Sequence, residues 1–278
     1  MAKDLPQETA ESVSCAVAQA RAAGDSQQLL KVGRDSKEFD MRGPYGFEQN
    51  DSCRTCKLRT AGFFCQLSPQ ALEDFDAIKS STTYPEGAVL LLEQGDPRGV
   101  FVLCAGQVKL SISSSSGKTL ILRIAQPGEI LGLMGALSDS PCEVTAETVR
   151  PSQVAFIRRG DFLRFASKHP EVYQGVVRQL NSLYSGACEQ LRTVALSASA
   201  PEKLARLLLD WSSNGTETAE GTQIRVPLTH EEMAEFIGAT RETVTRTLSQ
   251  FKHRHLVELH GSTMTISNRA ALEAIRCG

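Results

Sequence analysis

At Pro170 the hydrophobic period of this 278-residue chain changes, and few folds accommodate what lies on the two sides. Before it, from Ala88 to about Ile157, short apolar runs recur: AVLLLE, GVFVLCAG, QVKLSISS, KTLILRIA, EVTAETV and SQVAFI. Turn signals separate them at Gln94-Gly95-Asp96-Pro97, Ala105-Gly106, Ser115-Ser116-Gly117 and Pro127-Gly128. Many short strands at this spacing predict an antiparallel jelly roll or barrel. After Pro170, the residues Val176, Leu180, Leu183, Ala187, Leu191 and Val194 recur at steps of three and four, which places them on one face of a long helix. Such a seam either packs on the β domain or pairs two copies of the chain. A long helix between two domains favours pairing.

Beyond the helix, Ser197-Ala-Ser-Ala-Pro201 reads as a hinge, Pro201 to Trp211 as a helix with Leu204, Leu207 and Leu208 inward, and Asn214–Gly221 as a loop. Thr229 followed three residues later by Glu232 makes a capping box, and Met233, Ala234 and Ile237 form the apolar face of the helix it opens. Gly238-Ala239-Thr240 supplies a tight turn, and Thr240 caps a second helix whose inner face is Val244, Leu248 and Phe251. Its outer face carries Arg241, Glu242, Thr245 and Arg246. Two short helices joined by a glycine turn set the second into a DNA major groove, where arginine bonds guanine and glutamate accepts from cytosine. Lys252, His253, Arg254 and His255 follow, positioned for phosphates. LVEL and TMTIS around His260-Gly261-Ser262 read as a wing.

Ahead of the β domain, Cys53, Cys56 and Cys65 fit C-x2-C-x8-C. Thiolates so grouped suit an iron–sulfur cluster, zinc or a thiol switch, and the residues leave the three open with the cluster leading. Cys104, inside a strand run, reads equally as a buried core thiol. Residues 1–50 read as a flexible extension with one Ala-rich helix between Glu8 and Ala23.

Composition narrows the function. At 278 residues and 41% hydrophobic the chain has length and apolar content for about two domains of ~150 residues. A net charge of −2 argues against coating nucleic acid by charge alone, while allowing a sequence-specific reader with its charge on one element. No apolar run approaches the ~20 residues of a membrane span. The start MAKDLPQETAESV has no basic segment followed by an apolar block, so the expected compartment is the cytoplasm, without a membrane. Eight cysteines there favour metal or redox roles over disulfides. An enzyme on a cupin-like β domain would want histidines within it, but His169, His230, His253, His255 and His260 all lie outside. A non-DNA sensor with a protein-docking C-terminus is the remaining alternative.

Over about residues 53–278 the sequence resembles the Crp/Fnr family of bacterial transcription regulators, most specifically in Arg241-Glu-Thr-Val-Thr-Arg246. The resemblance implies an α+β chain: a cysteine-rich segment with a cyclic-nucleotide-binding-like β jelly roll (51–168), a dimerisation helix (169–196) and a winged helix-turn-helix (197–278). It implies a homodimer reading a TGTGA-like palindrome through Arg241, Glu242 and Arg246 and working with RNA polymerase. In cyclic-nucleotide-binding relatives a ribose-binding acid and a phosphate-binding arginine follow the PGE-type turn. The matching positions here are Leu133 and Cys142, and no Lys or Arg lies between Arg123 and Arg150, so cAMP binding is not expected. The N-terminal cysteines resemble the [4Fe–4S] site of the oxygen-sensing branch, although the last interval is longer and the branch's fourth ligand falls at Ala155. Cys104 or Cys142 would have to replace it, and Cys142, in a polar turn, is the expected one.

Overall fold

The computed structural model describes residues 44–47, 52–56, 62–196, 199–213 and 215–277. The expected helix between Glu8 and Ala23, most of the extension, and part of the hinge lie outside the described residues.

The β domain is one antiparallel sheet. Strands β1 (Ser80–Tyr84) and β2 (Val89–Leu91) pair with the long β6 (Thr145–Arg158). In turn β6 pairs with β3 (Gly99–Ser113), which also carries β4 (Thr119–Ala125) and β5 (Ile130–Leu131). Two boundaries therefore differ from those expected. GVFVLCAG and QVKLSISS are halves of β3, and EVTAETV and SQVAFI are halves of β6. Ala105-Gly106 is a bulge and not a turn: the β3–β6 pairing shifts repeatedly between Leu103 and Val108. Gly106 sits at φ 99°, and a Cβ there would stand 2.6 Å from the Cβ of Ser152. Only glycine meets both demands, so the strand bends where a side chain would have ended it. β1 carries no strand signal of its own: SSTTY has no apolar alternation, and its first three residues are exposed.

Side chains of β3 alternate between two apolar clusters, as the pleat requires. Val100 and Val102 join Ala155 and Ile157 on one face, while Leu103, Val108 and Leu110 join Leu91, Leu131 and Val154 on the other. The first cluster is closed by helices. These are α1 (Pro69–Ile78), α3 (Arg159–Lys168), which follows the short α2 (Leu133–Ser138), and the start of α4 (Pro170–Leu191). Phe75 of α1 stacks with Phe64 at 4.9 Å and with Phe165 of α3 at 5.9 Å between centroids. Burying a phenylalanine of this kind contributes about 1.5–3 kcal/mol.

The long helix forms, but its faces are divided differently from the expected seam. Val176 is buried in the β domain, with Leu180 packed partly beside it. The exposed apolar residues stand one position further on, at Val177, Tyr184 and Leu191. They recur every seven residues. Past Leu191 the chain makes a wide helical turn, Arg192–Leu196.

The C-terminal part holds α5 (Ala200–Ser212), α6 (His230–Ile237), α7 (Arg241–His253) and α8 (Arg269–Cys277). They pack on a four-stranded sheet, in spatial order β7 (Thr216–Thr218), β8 (Gly221–Arg225), β10 (Thr263–Ile266) and β9 (Val257–His260). The stretch expected as a loop, Asn214–Gly221, thus contains the polar strand β7, which no hydrophobic pattern announces. α8 was not foreseen either, though its Leu272 is fully buried.

Candidate nucleic-acid interface

Local chemistry sets the two helices of the reading element. The Thr229 hydroxyl accepts the Glu232 backbone N–H at 3.2 Å, and the Glu232 carboxylate accepts the Thr229 backbone N–H at 2.8 Å, which completes the capping box. Gly238 ends α6 in the left-handed region at φ 63°, and the Ala239 N–H returns to the Ala234 carbonyl at 2.9 Å. The Thr240 hydroxyl then accepts the Thr243 N–H at 3.3 Å at the start of α7. Met233, Ala234, Ile237, Val244, Leu248 and Phe251 are all buried between the helices and the rest of the domain. Thr229→Ala is expected to cost about 1 kcal/mol of stability. Chemical denaturation measures it, and an unchanged midpoint would deny the cap its role.

Arg241, Glu242, Thr245 and Arg246 are exposed on the opposite face of α7, and Lys252 is exposed in its last turn. Thr245 is tied to His230 of α6, 3.0 Å from hydroxyl to Nδ1, which braces the two helices. Among the described residues no ion pair holds Arg241, Arg246 or Lys252. The backbone N–H of Glu242 itself, with the Thr240 hydroxyl, holds the Glu242 carboxyl below its ordinary value. It is therefore an anionic acceptor at neutral pH, the form that can take a hydrogen bond from cytosine N4. Thr229 and Thr240 spend their hydroxyls on the caps and reach outward only at the edges of this face.

Comparison with known proteins places the element. Residues 81–169 match the family model for the cyclic nucleotide-binding domain, and residues 202–275 match that for the Crp-like helix-turn-helix domain, together well over half of the chain. The chain belongs to the Crp/Fnr family. It is a DNA-binding transcription regulator of that type. A CRP-like cAMP-activated global transcriptional regulator of Mycobacterium tuberculosis is 24% identical over 216 residues, covering 77% of this chain and 96% of that protein. The nitrogen fixation regulation protein FixK of Bradyrhizobium diazoefficiens is 25% identical over 229 residues, covering 80% and 93%. Among solved structures, FixK2 from Bradyrhizobium japonicum matches with a TM-score of 0.63 at 20% identity, over 71% of this chain and 97% of that one. The c-di-GMP responsive regulator CLP of Xanthomonas campestris gives 0.64 at 20%, over 72% and 99%. These structural likenesses show the fold. Among the described residues no helix is long and apolar enough to cross a membrane.

In this Crp/Fnr protein the two positions matched to the acid and arginine of cyclic-nucleotide-binding relatives lie together. Leu133 and Cys142 both line one cavity of about 220 Å³, walled by Leu91, Leu131 and Val144 and closed by Leu183 of α4. The cation at its edge, Arg123, is paired with Glu129. Cys142, expected to join the N-terminal thiols, is therefore on the wrong face. It is buried in the cluster of Leu91, Leu103 and Val154. The polar turn that suggested exposure folds inward, because Cys142 exchanges backbone bonds with Gln94 and Gly95 at 2.8 and 2.9 Å.

The segment of Cys53 is fastened to the end of α1. Asp76 accepts the Cys53 backbone N–H at 2.9 Å and the Ser52 hydroxyl at 2.9 Å, and Lys79 pairs with Asp76 at 2.7 Å. Burial pushes the Asp76 carboxyl up, but the bonds from Lys79 and Cys53 outweigh it and hold the group below its ordinary value. The Lys79 ammonium also lies 3.0 Å from the Cys53 sulfur. Cys65 belongs to a short helical turn, Phe63–Gln66, whose Phe64 enters the first cluster beside Val172 and Val176 of α4. The segment therefore bears on the base of the long helix.

Several contacts join the helix-turn-helix to the β domain, and none is signalled by a sequence motif. Ile121 of β4 is fully buried in the core of the C-terminal domain. Gln190, at the end of α4, donates to the carbonyls of Ile121 at 3.0 Å and Phe236 at 2.7 Å. Lys109 of β3 bridges Glu147 of β6 at 3.1 Å and Glu232 of α6 at 2.8 Å. The tip of the β3–β4 hairpin, residues 113–118, faces Thr240, Arg241 and Glu242 across an open groove. In this arrangement the start of α7 is flanked by the β3–β4 hairpin.

Proposed function

We propose that the chain is a homodimeric regulator that reads a TGTGA-like palindrome and responds to oxygen or redox state through Cys53, Cys56 and Cys65, and not to a cyclic nucleotide. The observation that carries the DNA part is the outer face of α7, where Arg241, Glu242 and Arg246 stand exposed on a capped helix. Two such helices related by a two-fold axis meet successive major grooves about 34 Å apart. The heptad stripe of Val177, Tyr184 and Leu191 supplies a matching face for a second copy. RNA polymerase is the partner through which a regulator of this type acts.

The apolar lining around Leu133 and Cys142 supports the exclusion of cyclic nucleotides, because a phosphate buried there would lack a free cation. The chemistry of the donor set supports the metal part: thiolates on one short segment suit a [4Fe–4S] cluster, with zinc as the competing occupant. When bound, the group would supply sensitivity to oxidants. The chain's own contribution is to hold the segment against α1 and the base of α4.

The test is fluorescence anisotropy with a TGTGA palindrome and a scrambled duplex of equal length, across a salt series. Preference for the palindrome and affinity that falls steeply with salt are expected. Equal binding to both duplexes, or none to either, would remove the assignment of the base-reading residues.

The contact of Lys109 with Glu232 suggests how a signal is released. Burial pushes the Glu232 carboxyl up, but hydrogen bonds from Lys109 and Thr229 win and hold it below its ordinary value. The contact is thus complete at neutral pH and is lost only as pH falls through that lowered value. Lys109→Ala is expected to raise DNA affinity about fivefold, near 1 kcal/mol, by loosening the closed arrangement. The same anisotropy titration reads it. A fall instead would mean that the contact orients α6 for DNA.

A further inference from the structure

The redox reading leaves a four-ligand site one thiolate short, since Cys53, Cys56 and Cys65 are three and the matching β6 position is Ala155. The sheet register shows which side chain stands nearest that gap. Val102 of β3 is paired directly with Ala155, and Leu103 with Val154. Val102 therefore shares the face of Ala155, and Cys104 stands in the bulge that follows it. The packing agrees. Val100, Val102, Ala155 and Ile157 form the first cluster, and both Cys104 and Cys53 are packed against it, whereas Leu103 and Cys142 belong to the second. Cys104 thus lies two residues along β3 from the partner of Ala155 and packs against the same cluster as Cys53.

The Lys79 ammonium, 3.0 Å from the Cys53 sulfur, lies at the same end of the cluster. Among the described residues no three His, Cys, Asp or Glu side chains gather closely enough to hold a single ion.

We propose that Cys104 of β3 supplies the fourth thiolate to the site of Cys53, Cys56 and Cys65. The ligand has in effect moved from the Ala155 position of β6 to a residue of β3 two places beyond Val102, the partner of Ala155. The inference rests on the redox reading above and goes beyond it in naming the residue and excluding Cys142. Each thiol gives up its proton on ligation, so loading is expected to release acid and to weaken as pH falls.

The experiment is anaerobic loading of the full chain with ferrous iron and sulfide, read by iron count and by absorbance near ~400 nm. Wild type and Cys142→Ser are expected to take up about four irons per chain. Cys104→Ser and Cys53→Ser are expected to lose at least tenfold in bound iron. Adding Ala155→Cys to Cys104→Ser is expected to restore uptake, which separates lost ligation from lost folding. Iron uptake by Cys104→Ser equal to wild type, with Cys53→Ser empty, overturns the assignment of Cys104 and leaves the redox reading standing. A wild-type chain that takes up neither iron nor zinc fails the reading, and the proposal with it. Zinc in place of iron, lost on Cys104→Ser, would retain the fourth ligand and change the metal.

Discussion

Arg246→Ala is expected to cut affinity for the TGTGA palindrome by about 1–3 kcal/mol per half-site while leaving binding to a scrambled duplex nearly unchanged. The reason is positional. Arg246 is exposed one helical turn beyond Glu242, and among the described residues no ion pair diverts its guanidinium. A bidentate bond to guanine is sequence information, so its loss falls on the specific complex alone. Two half-sites per dimer double the effect, which takes the loss to roughly two orders of magnitude or more. Lys252→Ala provides the contrast. A phosphate contact weakens binding to any duplex and lowers the salt slope by about 1. If Arg246→Ala weakened both duplexes equally, Arg246 would be a backbone contact and the reading of α7 would be wrong. If neither substitution mattered and salt had no effect, the C-terminal domain would be docking a protein instead of DNA.

What was legible beforehand follows the range of the interactions. The capping box of Thr229 and Glu232, the Gly238 turn and the inner face of α7 are local, and each is written within four residues of chain. They formed as expected because no distant contact competes with them. Features that depend on distant partners were misread. Gly106 signals a turn in isolation and becomes a bulge only because Ser152 lies against it. Cys104 stands in an apolar strand run and Cys142 in a polar turn, yet it is Cys104 that packs against the cluster Cys53 also touches. Lys109, Gln190 and Ile121 carry no motif at all. Their role exists only where β3, β4, α4 and α6 meet.

The long helix gives the second large effect, and it turns on a shift of one residue. Replacing Val177 and Tyr184 together by glutamate is expected to dissociate the dimer. In the single chain the two side chains are 63% and 71% exposed, so glutamate costs the monomer little and suits a helix. In a two-fold pair each residue meets its counterpart, and four carboxylates would face one another in a buried seam. At about 1 kcal/mol for each of the four seam residues lost, the dimer dissociation constant rises about a thousandfold. Loss of bivalence then lowers affinity for the palindrome by about 10²–10⁴. Sedimentation at micromolar concentration reads the assembly, and anisotropy reads the DNA. Val176→Ala is the control for the alternative face. Val176 is 2% exposed within the β domain, so its truncation should lower the melting temperature and leave the assembly state intact. The reverse pattern would mean that Val176, Leu180, Leu183 and Ala187 face the partner, and that α4 leaves the β domain when two chains meet.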